Sequence, residues 1–300
     1  MNRARAVVSR PARFSDQPDV FELTRTIWEG RDYVPLVWAE WLGDPHGLLL
    51  VAEGGGHAVG LGKLTDLGGG EWWLEGLRVS PDWQGRGVAS QIHEALMDAW
   101  KQRGGGTVRL ATSSERLPVH HLCARLGFLR VADLVKFSWT EGNLPPSPLP
   151  RAGAGPIVDR GFTQLQEKDL PRVLEGMARE DLFAGPPGLL NLGWRWAQAV
   201  PDRLREWLRA GKLWSWRERG LVGFQEQEEE GTPFLEVTVM VAAGPERVDL
   251  LREACRLTLS LGARGLIWRA PNDPVEMERA QKAGFLRASD TSMYLFEARS

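Results

Sequence analysis

The sequence predicts a mixed α/β fold built twice. In each half a mostly antiparallel central sheet feeds a single βαβ crossover and carries helices on its flanks. Two observations predict it. A Pro- and Gly-rich stretch, "EGNLPPSPLPRAGAGP" (141–156), divides the 300 residues into near-equal halves and reads as extended linker. The halves then match each other. "LGFLRVADLVKFSW" (126–139) parallels "AGFLRASDTSMYLFE" (283–297), and "EWWLEGLRV" parallels "PFLEVTVMV", each followed by a long helix and a strand. The expected domains are therefore 1–140 and 157–300, joined by 141–156.

In chain order, "AVVSRPA" reads as a strand (about 5–10). Its arginines and lack of acids also suit a transit peptide, but "DQPDVFELTRTIW" follows at helical spacing, with Val20, Leu23 and Ile27 on one face. Helices are expected around 17–29 and 34–42. "GLLLVAE", "HAVGLGKLTD" and "EWWLEGLRV" are three strands with short turns, an antiparallel meander. "GVASQIHEALMDAWKQRGGG" is a helix with Val88, Ile92, Leu96 and Ala99 on its apolar side and glycines at its end. The strand "TVRLATS", a short helix and a last strand finish the half.

Composition narrows the function. A net charge of −2 gives no long-range pull on a polyanion, so neither nucleic acid nor an anionic membrane is an expected partner. No apolar run approaches the ~20 residues of a membrane helix. Cys123 and Cys255 are far apart and form no CxxC, which points to a reducing, cytoplasmic setting without a zinc cluster or disulfide framework.

The glycine loop "QGRGVA" (84–89) stands between "LRVSPDW" and the long helix. A P-loop around Gly62 and Lys63 fails, since His57 replaces the first glycine and Leu64 the Ser or Thr. A dinucleotide fingerprint fails too: Ser90 takes the third glycine's place, and the loop follows a meander rather than a first strand. The pattern Gln/Arg-x-x-Gly-x-Gly/Ala, with "LCARLGF" about 35 residues later, resembles the GCN5-related N-acetyltransferase (GNAT) superfamily across the first half. The resemblance implies a loop, Gln84, Gly85, Arg86, Gly87, Val88, Ala89 and Ser90, whose backbone N–H groups at a helix N-terminus bind the pyrophosphate of acetyl-CoA. It also implies that Leu77, Arg78 and Val79 of the preceding strand run along the pantetheine arm, an N–H polarising the thioester carbonyl.

For the chemistry, Glu75 is the expected base; Glu71, at the strand start, is a poorer one, and the alternative for Glu75 is a local hydrogen bond or ion pair. The family's usual acid is a tyrosine four residues before the glycine of "GF", and here that position is Cys123, which either protonates a thiolate or simply fills core. His120 and His121 are nearby titratable groups. Tyr33, the first half's one tyrosine, lies between the first two helices, where the family shapes its acceptor pocket. "DYVPLVWAEWLGDP" and "LEGLRVSPDWQGRGVA" are also similar to vertebrate acetyltransferases that make N-acetylhistidine.

The second half has "AAGPERVDLLREAC" where the loop belongs: Glu236 to Gly265 spans 29 positions against 31 from Glu75 to Gly106. It is expected to be GNAT-like and non-catalytic, with "EQEEEG" (226–231) an acidic hairpin tip. The expected activity is acetyl-CoA-dependent N-acetylation of a small amine, without a metal, by a monomer or homodimer. Acetylation of a protein or peptide, or acyl-CoA sensing without turnover, are the alternatives.

Overall fold

A computed structural model describes residues 7–143, 161–229 and 231–300. Residues 144–156 of the expected linker lie outside the described residues, as do the first residues of the N-terminal strand. The chain forms two compact units. One takes the residues up to Leu110, Leu117–Leu129 and Phe296–Ser300; the other takes Ala111–Arg116 and Arg130–Leu295.

The first unit follows the expected order. Strand β1 (Val7–Pro11), helices α1 (Gln17–Thr24) and α2 (Val34–Gly43), then strands β2 (Leu48–Gly54), β3 (His57–Asp66) and β4 (Glu71–Val79) lead to helix α3 (Val88–Gln102). Strand β5 (Thr107–Ser113), helix α4 (Leu117–Arg125) and strand β6 (Leu129–Thr140) follow. β1 to β4 pair antiparallel in sequence order and β5 lies parallel to β4, the meander and crossover read from the sequence.

Two local differences matter. Helix α1 stops at Thr24, not near 29, because Trp28 and Glu29 turn left-handed (φ 48° and 59°) and lay the Trp28 ring on Tyr33. On α3 the buried side chains are Val88, Ile92, His93, Leu96, Met97 and Trp100, so Ala99 gives way to a histidine in the core. The other side of the sheet buries Val20, Val34, Trp38 and Trp41 with Leu49, Val51 and Leu61.

In the second unit, β7 (Phe162–Gln164), α5 (Leu170–Met177), β8 (Leu189–Asn191), β9 (Trp196–Gln198) and α6 (Pro201–Arg209) precede the meander β10 (Leu213–Trp216), β11 (Gly220–Glu229) and β12 (Thr232–Ala242). Helix α7 (Arg247–Ser260), β13 (Gly265–Pro271), α8 (Pro274–Lys282), β14 (Leu286–Arg287) and β15 (Met293–Arg299) complete it. β12 and β13 are parallel, as β4 and β5 are. The acids 226–229 stand at the end of the β11–β12 hairpin, as expected, with Lys136 against Glu229.

The units differ from the sequence halves by an exchange of closing strands. β6 pairs with β13 over Leu134–Thr140, which groups it with the second unit. The last residues group with the first unit, where Ser300 Oγ accepts from the Gly106 N–H at 2.7 Å and Glu297 reaches Arg109. Among the described residues, no helix is long and apolar enough to cross a membrane.

Candidate active site

Strand β4 is regular only at its start. Glu71–Trp73 pair with Thr107–Arg109 of β5, and the parallel ladder ends there, so among the described residues the main chain beyond Trp73 has no strand partner on that side. On the β3 side the register slips between Leu61 and Lys63, a bulge that sets Gly76 and Leu77 opposite Gly62. Gly76 has φ 69°, and a Cβ there would stand 2.6 Å from the Trp41 ring, so both conformation and space require glycine. The resulting notch exposes backbone groups of Leu77, Arg78 and Val79 along an open edge, the arrangement an extended pantetheine arm needs.

Side chains gather beside the notch on the α1–α2 face. Glu75 accepts from Thr65 Oγ1 at 2.6 Å. Tyr33 sits edge-on to Trp41, with ring centroids 5.9 Å apart. Burial pushes its phenol up to about 12; Arg78 opposes the rise, Glu75 and Asp32 add to it, and the Gly76 N–H opposes it. Arg78 is held by Asp32 at 2.8 and 3.2 Å and lies over the Trp28 and Tyr33 rings. Asp32 also accepts from the Val34 N–H, fixing the start of α2 to the same cluster. Sequence reasoning missed Asp32, Trp28 and Thr65; only the helical spacing around Tyr33 pointed toward that face.

The loop after β4 has the conformation of an anion cradle. Gly85 and Gly87 adopt φ 72° and 81°, and a Cβ at either would meet no protein atom within 4 Å, so within the chain itself it is backbone direction that favours glycine. Val88, Ala89 and Ser90 open α3, where first-turn N–H groups have no partner inside the helix. Gln84 is tied back to the Val79 carbonyl at 3.2 Å. Arg86 is exposed and lies over the Trp83 ring, 5.4 Å from its centroid. The residues present fit a pyrophosphate through main-chain donors.

Cys123 stands apart from this cluster. It is 0% exposed, and burial pushes its thiol up to about 12, which describes a core side chain rather than a proton donor to a cleft. His121 is exposed and His120 leans on Phe296. Glu71 is spent on buried Arg109. Among the described residues no set of three His, Cys, Asp or Glu side chains converges as a metal site.

The second unit repeats the strand geometry but not the glycine loop. A bulge between Gly223 and Phe224 leaves Thr238 unpaired in β12, two residues after Glu236, much as Gly76 follows Glu75. At the start of α7, Arg247 (6% exposed) donates to the carbonyls of Ala242, Leu182 and Phe183, all at 3.0 Å, and to Glu276 at 2.5 Å. Arg279 also pairs with Glu276 and crosses Gly244, lying 2.5 Å from where its Cβ would be. Side chains of α7 and α8 thus crowd the turn that follows β12.

Comparison with known proteins adds to this geometry. Residues 17–128 match the profile of the acetyltransferase (GNAT) family. A histidine N-acetyltransferase of Xenopus tropicalis is 27% identical over 192 residues, covering 61% of this chain and 57% of the relative, so the chain spans little more than half of that protein. The aligned length exceeds the 140 residues of the first half, and the similarity therefore runs into the second. Among solved structures, a GCN5-related N-acetyltransferase from Sphaerobacter thermophilus superposes with TM-score 0.61 at 17% identity, covering 98% of this chain and 95% of that one. A tandem GNAT protein from the clavulanic acid biosynthesis pathway superposes with TM-score 0.56 at 13% identity, covering 98% of each chain. These two likenesses establish the duplicated fold.

Proposed function

We propose, from the match of residues 17–128 to the GNAT acetyltransferase family, that the chain moves the acetyl group of acetyl-CoA to the primary amine of a small α-amino compound. The acceptor class follows the name of the Xenopus relative, a histidine N-acetyltransferase. One observation supports the reading: Glu75 and Tyr33 interact electrostatically at the Gly76 bulge of β4, the strand that leads into the glycine loop. Two buried, unpaired cysteines suit the reducing cytoplasm, where acetyl-CoA is made and used.

Acetyl-CoA supplies an activated thioester. The chain supplies the rest. The amides of Gly85 to Ser90 hold the pyrophosphate, and the free edge of β4 at Leu77–Val79 orients the arm and presents an N–H to the carbonyl oxygen. Glu75, steadied by Thr65, takes the proton from the incoming ammonium at its carboxylate. Tyr33, with its phenol near 12, stays protonated at neutral pH and donates from Oη to the departing sulfur. That role passes from Cys123 to Tyr33 because Cys123 is sealed in the core.

The test is thiol release from acetyl-CoA with amino acids, polyamines and peptides as acceptors. Turnover is expected with small α-amino acids. Glu75→Gln should lower kcat by about 10²–10⁴-fold, Tyr33→Phe by at least about tenfold, and Cys123→Ala should leave kcat within about twofold, since core truncation acts on stability. Peptide-only turnover would replace the acceptor class, and acetyl-CoA binding without any turnover would replace the reaction by sensing.

A further inference from the structure

Strand β4 sets opposite charges on either side of its bulge. Glu75 precedes Gly76, Arg78 follows it by two residues, and both act electrostatically on Tyr33. Burial raises the Tyr33 pKa most; Arg78 lowers it and Glu75 raises it, so one phenol registers both charges. A small molecule beside Tyr33 therefore meets an anion and a cation at once.

The guanidinium of Arg78 is fixed but only partly used. Asp32, its side chain 1% exposed, accepts from Nε at 2.8 Å and from Nη2 at 3.2 Å, and is itself anchored by the Val34 N–H at 3.1 Å. Nη1 donates to the Leu77 carbonyl at 3.1 Å. The Trp28 and Tyr33 rings lie against the same group, their centroids 4.9 and 5.5 Å from its central carbon. Trp28 and Glu29 keep left-handed φ of 48° and 59°, unfavourable for both residue types, where the chain lays that ring on Arg78. These hydrogen bonds use the Nε hydrogen and one hydrogen on each Nη. The second hydrogen of each Nη has no partner among the described residues. The side chain is 14% exposed, so the cation is not sealed from solvent. Arg109 shows the completed form of such an arrangement, one guanidinium between the carboxylates of Glu71 and Glu297.

We propose that the Arg78 side chain recognises the α-carboxylate of the acceptor, which makes the substrate a free α-amino acid. The carboxylate takes the remaining Nη hydrogens end-on, while Asp32 keeps the Nε edge. The ammonium, carried on the adjacent carbon, then faces Glu75. Both ends of the zwitterion find their opposite charge, and other amines are disfavoured by the same groups. A polyamine adds positive charge beside Arg78, and a peptide N-terminus offers a neutral amide where the carboxylate belongs. The main chain of Arg78 stays free for the open edge of β4, so one residue serves both substrates by different atoms. That the bound amino acid is an acceptor rests on the acetyl-transfer reading; that Arg78 holds its carboxylate does not.

The test compares thiol release with amino acids and with their α-amides, which keep the amine and side chain and lose only the carboxylate. Wild type should favour the acid by roughly 10–100-fold in kcat/KM, mainly through KM, as for a charge-assisted pair. Arg78→Gln should reduce that preference to a few-fold. The double variant Asp32→Asn, Arg78→Gln should do the same without leaving a buried carboxylate unpaired. Arg78→Lys, which keeps the charge without the fork, should retain part of it. A merely structural role would lower acid and amide alike and leave their ratio intact. Amides used as well as acids by wild type, or a preference that survives in the double variant, would overturn the proposal while acetyl transfer stands. If no amine supports thiol release, saturation-transfer NMR of the full chain with CoA makes the same comparison by binding. Acid-selective binding that is lost with Arg78 would keep the carboxylate site and overturn the transfer reading. Equal binding of acid and amide, or binding of neither, would overturn both.

Discussion

Gly76 carries two requirements in one residue, a φ of 69° and a Trp41 ring where a Cβ would be. Gly76→Ala should therefore cost stability by about 1–3 kcal/mol from strain and overpacking. It should also lower kcat more than that loss implies, because Trp41 supports Tyr33. Chemical denaturation and steady-state kinetics on the same variant read the two effects separately; an active, stable Gly76→Ala enzyme would remove the bulge from the mechanism. His93 makes a different kind of prediction. It is 3% exposed, its ring nitrogens have no partner among the described residues, and burial, with help from Arg125, lowers its pKa to about 4. Its folded value lies below its unfolded value of 6.5, so its contribution is full above pH 6.5 and is lost as pH falls toward 4. Between pH 7 and 4.5 the fold should lose roughly 2–3 kcal/mol through this residue, at about 1.4 kcal/mol per unit. Urea midpoints across that range should flatten in His93→Leu, and an unchanged slope would show that other groups carry the acid sensitivity.

At the scale of elements, α3 and the loop before it are where sequence and structure agree best. Glycines at 85 and 87, a strand before and an apolar stripe after are local signals, each with a local physical cause. Even so, the reason for the glycines was legible only in part. The sequence shows two glycines but not their backbone, which takes left-handed φ at both, with no protein atom crowding either. Gly87→Ala should therefore weaken acetyl-CoA binding by about tenfold, since strain of about 1–2 kcal/mol at an N-cap turns donors away from the anion. Calorimetry of coenzyme binding measures it, and an unchanged Kd would mean that the loop does not hold the pyrophosphate. What the sequence hid were relations between distant residues. That Cys123 is core, that Trp28 breaks α1 to reach Arg78, and that side chains of α7 and α8 crowd the turn after β12 all depend on which segments meet in space. Periodicity records which side of an element is apolar but not what lies against it, so it did not single out the histidine that α3 buries.

At the scale of the molecule, the duplication read from the sequence is present but its parts are exchanged: the first unit is closed by the chain's last residues. Their importance can be argued from one buried cation. Arg109, 0% exposed, lies between Glu71 of β4 and Glu297 of β15, 2.7 Å from the latter, and Glu297 also pairs with Arg299. β4 is the strand that carries Glu75 and the bulge, so the ion pair at its base ties the candidate site to residue 297. Breaking a buried pair outright costs about 3–5 kcal/mol. Glu297→Gln leaves Arg109 with Glu71 and keeps a hydrogen-bonding group, so a smaller loss of about 1–2 kcal/mol is expected by the same argument. Removing Phe296–Ser300 also deletes the Gly106–Ser300 bond and a buried Phe296, and should cost several times more, at about 3–5 kcal/mol for the aromatic side chain alone. The thiol-release assay and urea unfolding on the truncated chain test this together. Truncation is expected to abolish turnover, with the first unit's buried amides losing hydrogen-exchange protection. A truncated chain of full activity would show that the first unit closes without the strand that ends the sequence, and that the exchange has no consequence for the site.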